Sequence, residues 1–524
     1  MHCSCVRQTE LPNTTALAAD ISYNPDRVSQ FYHHPVRDLE SFRAAASEIQ
    51  FSEAQRASLV AALRKQNGDS PSLQRLAQPG TVAVATGQQV GLFSGPAYTV
   101  FKALHAARLA EWLTQNGIPA VPVFWIATED HDFAEVNHVW VFDANHQPVK
   151  LEMRRSASNQ PAGTVTLAAP PVEELRAVLD GMQFGEEVAD LVAESYRDGS
   201  TMGAAFGELV RSILKRFDIL QLDPLQPEFR ELAAPALRTA VERHADLTSR
   251  MLVRNKELTD AGYHAQVHVE QQTSFVFLLE NGKRLALKRN GEEFGHNTRQ
   301  FPATELMSRA AELSPNALLR PVVQDSMLPT VALIMGPAEA AYMAQSEVLY
   351  SGILGRMPVV VPRASFTILD GHSSKLMDRY GLTIRDFIQG EESLRARIAT
   401  RLVPPSLNDK LTETALQVSH SIERLRGDLA AFDPTLAQAL DRSKRKIEYQ
   451  ISKISAKAGR EAMRRSERSL REARSLYGLI FPERHLQERL YSILPFLATH
   501  GLELIDFLYE QIELDCPDHR MMVV

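Results

Sequence analysis

Between Thr81 and Asn137 two apolar runs each stop abruptly at a cluster of polar and charged residues, and an amphipathic segment joins them. Val82 to Ala85 ends at Thr86-Gly87-Gln88-Gln89, and Val121 to Ile126 ends at Thr128-Glu129-Asp130-His131-Asp132. Strands buried on both faces read as continuous apolar runs, so both runs are expected as central strands of a parallel sheet. Between them Ser94-Gly95-Pro96 reads as a helix start with proline at the first helical position. Tyr98, Phe101, His105, Leu109 and Trp112 recur at threes and fours along one apolar face, and Asn116-Gly117 closes the helix before Pro119. The result is a βαβ unit. Ligands of open parallel sheets bind outside the carboxyl ends of the strands, so the two polar clusters are expected to face one pocket.

A chain of 524 residues exceeds one ordinary core, and its length suggests roughly two to four domains. Lys plus Arg is 57 and Asp plus Glu is 64, so the net charge is 57 − 64 = −7. That balance gives no general electrostatic reason to expect nucleic acid or an anionic membrane as partner. Cys3, Cys5 and Cys516 lie at the chain ends in no metal-ligand or redox spacing, which excludes a disulfide framework. The first residues lack the apolar core of a signal peptide, and no run approaches the ~20 apolar residues of a membrane span. The expected location is the cytoplasm.

Residues 1 to about 80 are polar and mostly helical in pattern, with a turn at Tyr23-Asn24-Pro25-Asp26 and a boundary at Asn67-Gly68-Asp69-Ser70-Pro71. Val136 to Phe142 alternates toward a strand, Asp143 to His146 reads as a turn, and Val149 to Met153 reads as the returning strand. This marks an insertion over about 143–200 that continues through helical residues Val172 to Leu191. The α/β pattern is expected to resume at Phe217 to Leu222 and at Phe275 to Glu280, where Asn281-Gly282 is a hairpin signal before Leu285 to Lys288. Val331 to Met335 is another buried strand that runs into a Gly336-Pro337 helix start. Glu339 there suits the positive end of the helix dipole. The last strand, Met357 to Val361, ends at Pro362-Arg363.

Beyond about residue 371 the strands are expected to stop. Leu411, Ala415, Val418, Ile422, Leu425, Leu429 and Phe432 alternate spacings of four and three, the seam of a coiled coil. Asp433 and Pro434 begin a second helix, expected to reach about Leu476 and to form an αα-hairpin with the first. The chain thus divides into a core over 1–370, a helical coiled-coil domain over 371–480, and a helical segment over 481–524 that packs on the core.

Gly87-Gln88-Gln89 reads either as a plain strand-to-helix connection or as a substrate-binding turn, since neither the dinucleotide fingerprint nor the P-loop is present. Paired amides suit a carboxylate or amide ligand. Glu129, Asp130, His131 and Asp132 directly after a buried strand suffer desolvation unless something pairs with them. In a helix, His131, Glu135 and His138 would share a face and could hold a divalent metal, but the strand pattern from Val136 separates them. Lys102 lies one turn after Tyr98 and either reaches a phosphate or stays solvated. Gln324, Asp325 and Arg363 sit where they can face the pocket.

Thr86 to Gln89, Gly91 to Pro96, Tyr98-Thr99, Lys102, Val123 to Ala127, Glu129 to Asp132, Glu135 and Asn137-His138 resemble the cysteine ligase family of bacillithiol biosynthesis. So do Leu318 to Pro321, Pro329-Thr330, Gly336-Pro337, Glu339, Ala341-Tyr342 and Val361 to Arg363, and the likeness covers nearly the whole chain. It implies a Rossmann-like core with connecting-peptide insertions, somewhat like class I aminoacyl-tRNA synthetases, and a coiled-coil domain through which the family dimerises. The implied reaction joins cysteine to the amine of glucosaminyl malate. Activating a free carboxylate implies ATP as co-substrate, with no tightly bound metal.

On this reading Asp130, His131 and Asp132 bind the cysteine ammonium or act as the base. Gln88, Gln89 and Asn137 orient the substrates, Lys102 and Arg363 neutralise anionic charge, and Thr86, Gly87, Tyr98, Glu129, His138, Gln324 and Asp325 complete the substrate site. Ser94 stands where the family commonly has glycine, Ala97 where it has a larger apolar residue, and the stretch from Lys150 to Ser200 matches least. Two other readings are a metal-dependent hydrolase using His131, Glu135 and His138, and a coiled-coil scaffold with an inactive enzyme body.

Overall fold

The computed structural model describes residues 3–153 and 159–524. The first apolar run is buried as expected, but the strand does not end with it: β1 spans Val82–Gln89. Gly87 pairs with Trp125 of the neighbouring strand, and a Cβ at Gly87 would lie 2.8 Å from the Trp125 carbonyl oxygen. A glycine there lets the strand run on past its apolar residues, so the expected turn at Gly87-Gln88-Gln89 is strand.

β2 (Ala120–Ala127), β3 (Leu220–Leu222), β4 (Thr330–Met335) and β5 (Val359–Pro362) complete a parallel sheet in the order β5-β4-β1-β2-β3. The order reverses direction between β1 and β4, which makes that crevice the topological switch point of a Rossmann-like sheet. After β1 comes helix α1 (Tyr98–Gln115), and after β4 comes α2 (Pro337–Ile353).

Pro96 precedes α1 by two residues instead of occupying its first turn. Phe93, Ser94 and Gly95 first take left-handed φ values of 49°, 73° and 65°. A serine at position 94 is strained there, because a left-handed φ favours glycine. α2 starts as its sequence predicts, with Pro337 in the first turn and the Glu339 carboxylate accepting the Gly336 N–H at 2.7 Å.

The Phe275–Glu280 run belongs to a different sheet from the one expected. Thr273–Glu280 and Lys283–Asn290 pair antiparallel across Asn281 (φ 52°) and Gly282 (φ 71°), inside a five-stranded sheet that also holds Leu313–Pro315, Glu293–His296 and Arg299–Pro302. A two-residue turn joins only antiparallel neighbours, so this hairpin could not extend a parallel sheet. The second expected hairpin forms from His138–Phe142 and Pro148–Glu152, after a single helical turn at Phe133–Val136.

The chain forms two compact units, one of Met1–Ala144, Val149–Ile368 and Glu488–Met522, the other of Asn145–Pro148, Leu369–Gln487 and Val523–Val524. Strands do not stop at residue 371: His519–Val523 pairs antiparallel with Cys3–Val6 in a sheet that also contains Ser365–Leu369. In the second unit Pro405–Phe432 and Pro434–Arg464 form the expected helical hairpin, and the Asp433 carboxylate caps the second helix by accepting the Thr435 N–H at 2.7 Å. That helix ends at Arg464, short of Leu476, because Ser466 caps a new helix over Glu467–Ile480. Among the described residues no helix is long and apolar enough to cross a membrane.

Candidate active site

The carboxyl ends of β1 and β2, the first turn of α2, and the Thr273–Glu280 hairpin enclose a cavity of about 530 Å³ in the first unit. A cavity of about 620 Å³ lined by Phe42, His105, Trp112 and Leu514 shares none of its residues. The position predicted from the sheet is the first one.

At the end of β1 the two glutamines face different partners. Gln89 donates both amide hydrogens, to Asp130 Oδ2 at 2.6 Å and Glu135 Oε2 at 2.9 Å. Gln88 donates to the Tyr98 hydroxyl and accepts from Lys102 Nζ, each at 3.2 Å. Lys102 is buried, and its ammonium also donates to the Gly87 carbonyl at 2.6 Å and to Glu339 Oε2 at 2.7 Å. All three of its donors are therefore used. Burial pulls the Lys102 ammonium down while Glu339 holds it up. Burial also pushes the Glu339 carboxyl up, and Lys102, with the Gly336 N–H and Arg320, more than offsets this, so that the carboxyl lies below its usual range. The pair is ionised and ties the end of β1 to the start of α2 across the switch point.

The acidic cluster after β2 is paired in a graded way. Glu129 is buried against Arg230, which also donates to the carbonyls of Ala311 and Leu313; burial raises the Glu129 carboxyl against the pull of Arg230. Asp130 Oδ1 accepts the His131 N–H at 2.8 Å and lies 3.6 Å from Arg284 Nη1. The Arg284 guanidinium sits 3.9 Å over the Phe277 ring and donates to Ser314 Oγ and the Pro315 carbonyl. Its Nη1 is also 3.2 Å from His131 Nδ1. Burial and Arg284 hold the His131 ring below its ordinary value against Asp130 and Asp132. The ring is then neutral, with Nδ1 accepting from Arg284 and the proton on Nε2.

Of the residues singled out from sequence, Gly87, Gln88, Gln89, Glu129, Asp130, His131 and Asp132 line the cavity, joined by Glu135. Tyr98 and Lys102 stand behind them. Thr86 is buried and donates to the Ile334 carbonyl, fastening β1 to β4. Asn137 donates to Glu152 and the Met153 carbonyl, and His138 Nδ1 lies 3.2 Å from Asn137 Oδ1, so both belong to the hairpin and neither lines the cavity. Gln324 and Asp325 are buried in the Arg320–Met327 helix, where Asp325 accepts from Gln324 and Tyr350. Arg363 is buried in a two-pronged pair with Glu488, at 3.0 and 2.5 Å, over the Tyr98 ring.

Lys102 and Arg363 are thus committed inside the protein. His131, Glu135 and His138 are not assembled as ligands, and among the described residues no three His, Cys, Asp or Glu side chains are placed to hold a metal ion. The hydrolase reading loses the ligand set on which it stood. Sequence reasoning named Arg320 and Tyr342 only within family-like segments, gave Arg284 no place, and gave Glu339 only a role at a helix start. Arg320 carried a local signal, as the single charge in Leu318-Leu319-Arg320-Pro321-Val322-Val323. Arg284 carried none.

Residues 1–364 match the family described as "Bacillithiol biosynthesis BshC, N-terminal Rossmann-like domain", and residues 366–524 match its C-terminal coiled-coil domain. A protein of Solibacter usitatus named "Putative cysteine ligase BshC" is 66% identical over 524 residues, 100% of both chains. Proteins with the same printed name from Koribacter versatilis and Salinibacter ruber are 34% and 29% identical, the first over 99% of both chains and the second over 97% of this chain and 96% of its own. With a Rossmann-like sheet whose switch point opens on this cavity, and with both domains matched end to end, the chain belongs to the BshC family of bacillithiol biosynthesis.

Proposed function

We propose that the chain is an amide-forming ligase that joins the carboxyl group of cysteine to the amine of glucosaminyl malate, with ATP as co-substrate. The relatives' shared name supports a cysteine ligase. The observation that carries the chemistry is the uneven commitment of the carboxylates at the end of β2. Asp130 is bound on both oxygens, by Gln89 and by the His131 N–H, while among the described residues the Asp132 carboxylate accepts no hydrogen bond. His131, with its proton on Nε2 and its Nδ1 lone pair directed to Arg284, has no free basic nitrogen. Asp132 is then the base and Asp130 the group that orients the amine.

Activation transfers a phosphoryl or adenylyl group of ATP to the cysteine carboxylate, releasing ADP or pyrophosphate. The amine nitrogen attacks the acyl carbon, the C–O bond to phosphate or AMP breaks, and the amine proton passes to Asp132. Mass spectrometry of the purified chain with cysteine, glucosaminyl malate and ATP tests this, and the appearance of ADP or AMP distinguishes the two activations. Cysteinyl product is expected. Product with neither nucleotide removes ATP from the reaction, and no product at all favours the inactive-scaffold reading.

Asp132→Asn is expected to lower turnover by about 10²-fold or more, in the range of a general base, with thermal stability unchanged because the residue is exposed. Wild-type turnover in Asp132→Asn removes it as the base.

A further inference from the structure

The charges around the cavity do not cancel locally. Lys102 and Glu339 neutralise each other, Glu129 and Arg230 do likewise, and Arg284 stands beside Asp130. Arg320 is different. It lines the cavity, donates to Gln324 Oε1 at 3.1 Å, and has no carboxylate within ion-pair distance among the described residues. Glu339 contributes to its field, but Glu339 Oε2 is held by Lys102 and the Gly336 N–H, so Lys102, Glu339 and Arg320 together carry one excess positive charge.

Burial disfavours the Arg320 guanidinium, but the fields of Tyr342 and Glu339 more than offset this and hold it charged, and its charge is left facing the cavity with no carboxylate bound to it. Arg320 is moreover the first residue of the Arg320–Met327 helix, where the dipole disfavours a cation and favours an anion. An anion against the guanidinium offsets the dipole and uses the charge that the protein itself leaves unpaired.

We propose that Arg320 is an oxyanion-recognition residue, taking a carboxylate of the substrate in a planar two-pronged bond at the switch point. The negative groups Asp130, Asp132 and Glu135 then hold the amine-bearing part of a ligand, and Arg320 fixes which way round it lies. Naming a carboxylate rests on the ligase reading; the anion site does not. A phosphoryl group of a nucleotide offers the same oxyanion chemistry, so the test carries an arm for each source.

Titration calorimetry of the full chain with L-malate, and separately with inorganic phosphate, reads the site without turnover. Malate is expected to bind the wild type and to bind Arg320→Met about tenfold or more weakly, with Arg320→Lys between them because it keeps the charge and loses the fork. Loss of phosphate affinity instead of malate affinity assigns the site to the nucleotide. Equal affinities in wild type and Arg320→Met for both anions, or no binding of either to the wild type, overturns the proposal. Should Arg320→Met fail to fold, phenylglyoxal modification of the wild type replaces it: malate or phosphate is expected to slow modification at Arg320, and equal rates overturn the site. Intact anion binding in a chain that makes no product would refute the ligase reading and leave Arg320's role standing.

Discussion

His105 sits on the apolar face of α1 that its spacing predicts, and burial there decides its chemistry. Its Nδ1 accepts the Ala364 N–H at 2.9 Å, while Nε2 is buried without a hydrogen-bond partner. Burial, with Arg363 and Arg37, pushes the ring down to about 3. His519, between the hydroxyls of Ser365 and Thr367 at 2.7 and 2.8 Å, is pushed down to about 4, chiefly by burial and against the pull of Glu488. Both folded values lie below the ordinary 6.5. Below that pH the unfolded chain binds protons that the folded chain refuses. Stability is therefore full above about pH 6.5 and falls as pH drops toward 4, by up to about 1.4 kcal/mol per pH unit for each ring. Urea denaturation between pH 7 and 5 should show about 2 kcal/mol lost per histidine. His105→Gln should remove one share of that slope, and an unchanged slope would show that another group titrates.

The two elements flanking the switch point were legible separately but not together. β1 and β4 announce themselves as continuous apolar runs, and α2 by Gly336-Pro337 and its first-turn acid. That Lys102 of α1 and Glu339 of α2 pair is a tertiary fact, set by strands far apart in sequence that lie side by side in the sheet. The same reason hid the Cys3–Val6 and His519–Val523 pairing, which joins opposite ends of the chain, and the cation Arg284, which reaches the cavity from another element. The acidic cluster and the paired glutamines were legible because polar groups after a buried strand contradict their surroundings. Lys102→Met tests the clamp. It leaves Glu339 beside a lost charge, and breaking such a pair costs about 3 kcal/mol or more. Lys102→Met with Glu339→Gln should recover much of the loss, since no unpaired charge then remains. A cost under about 1 kcal/mol for Lys102→Met alone, measured by chemical denaturation, would show that the ion pair does not hold these elements together.

At the scale of the whole molecule the helical hairpin leaves its seam half covered. The Pro405–Phe432 helix has no buried residue: Leu411, Ala415, Val418, Ile422 and Leu429 are half-buried, Leu425 is 48% exposed and Phe432 83%. On the facing Pro434–Arg464 helix, Ile447 and Ile454 are 41% and 57% exposed. A two-helix hairpin packs each seam residue against one partner helix and leaves the flanking apolar surface of both helices open. We propose that a second copy of the chain covers the remainder, since self-complementary two-fold pairing is the commonest way a single chain buries such a face. Leu425→Asp would place a carboxylate in that contact with no partner and is expected to convert a dimer into a monomer. The first unit should be untouched, because Leu425 lies in the second. Sedimentation velocity at micromolar concentration decides it. The unmutated chain should sediment as a dimer and Leu425→Asp as a monomer with intact ligand binding, whereas a monomeric unmutated chain would mean that these apolar residues remain in water and serve only the hairpin.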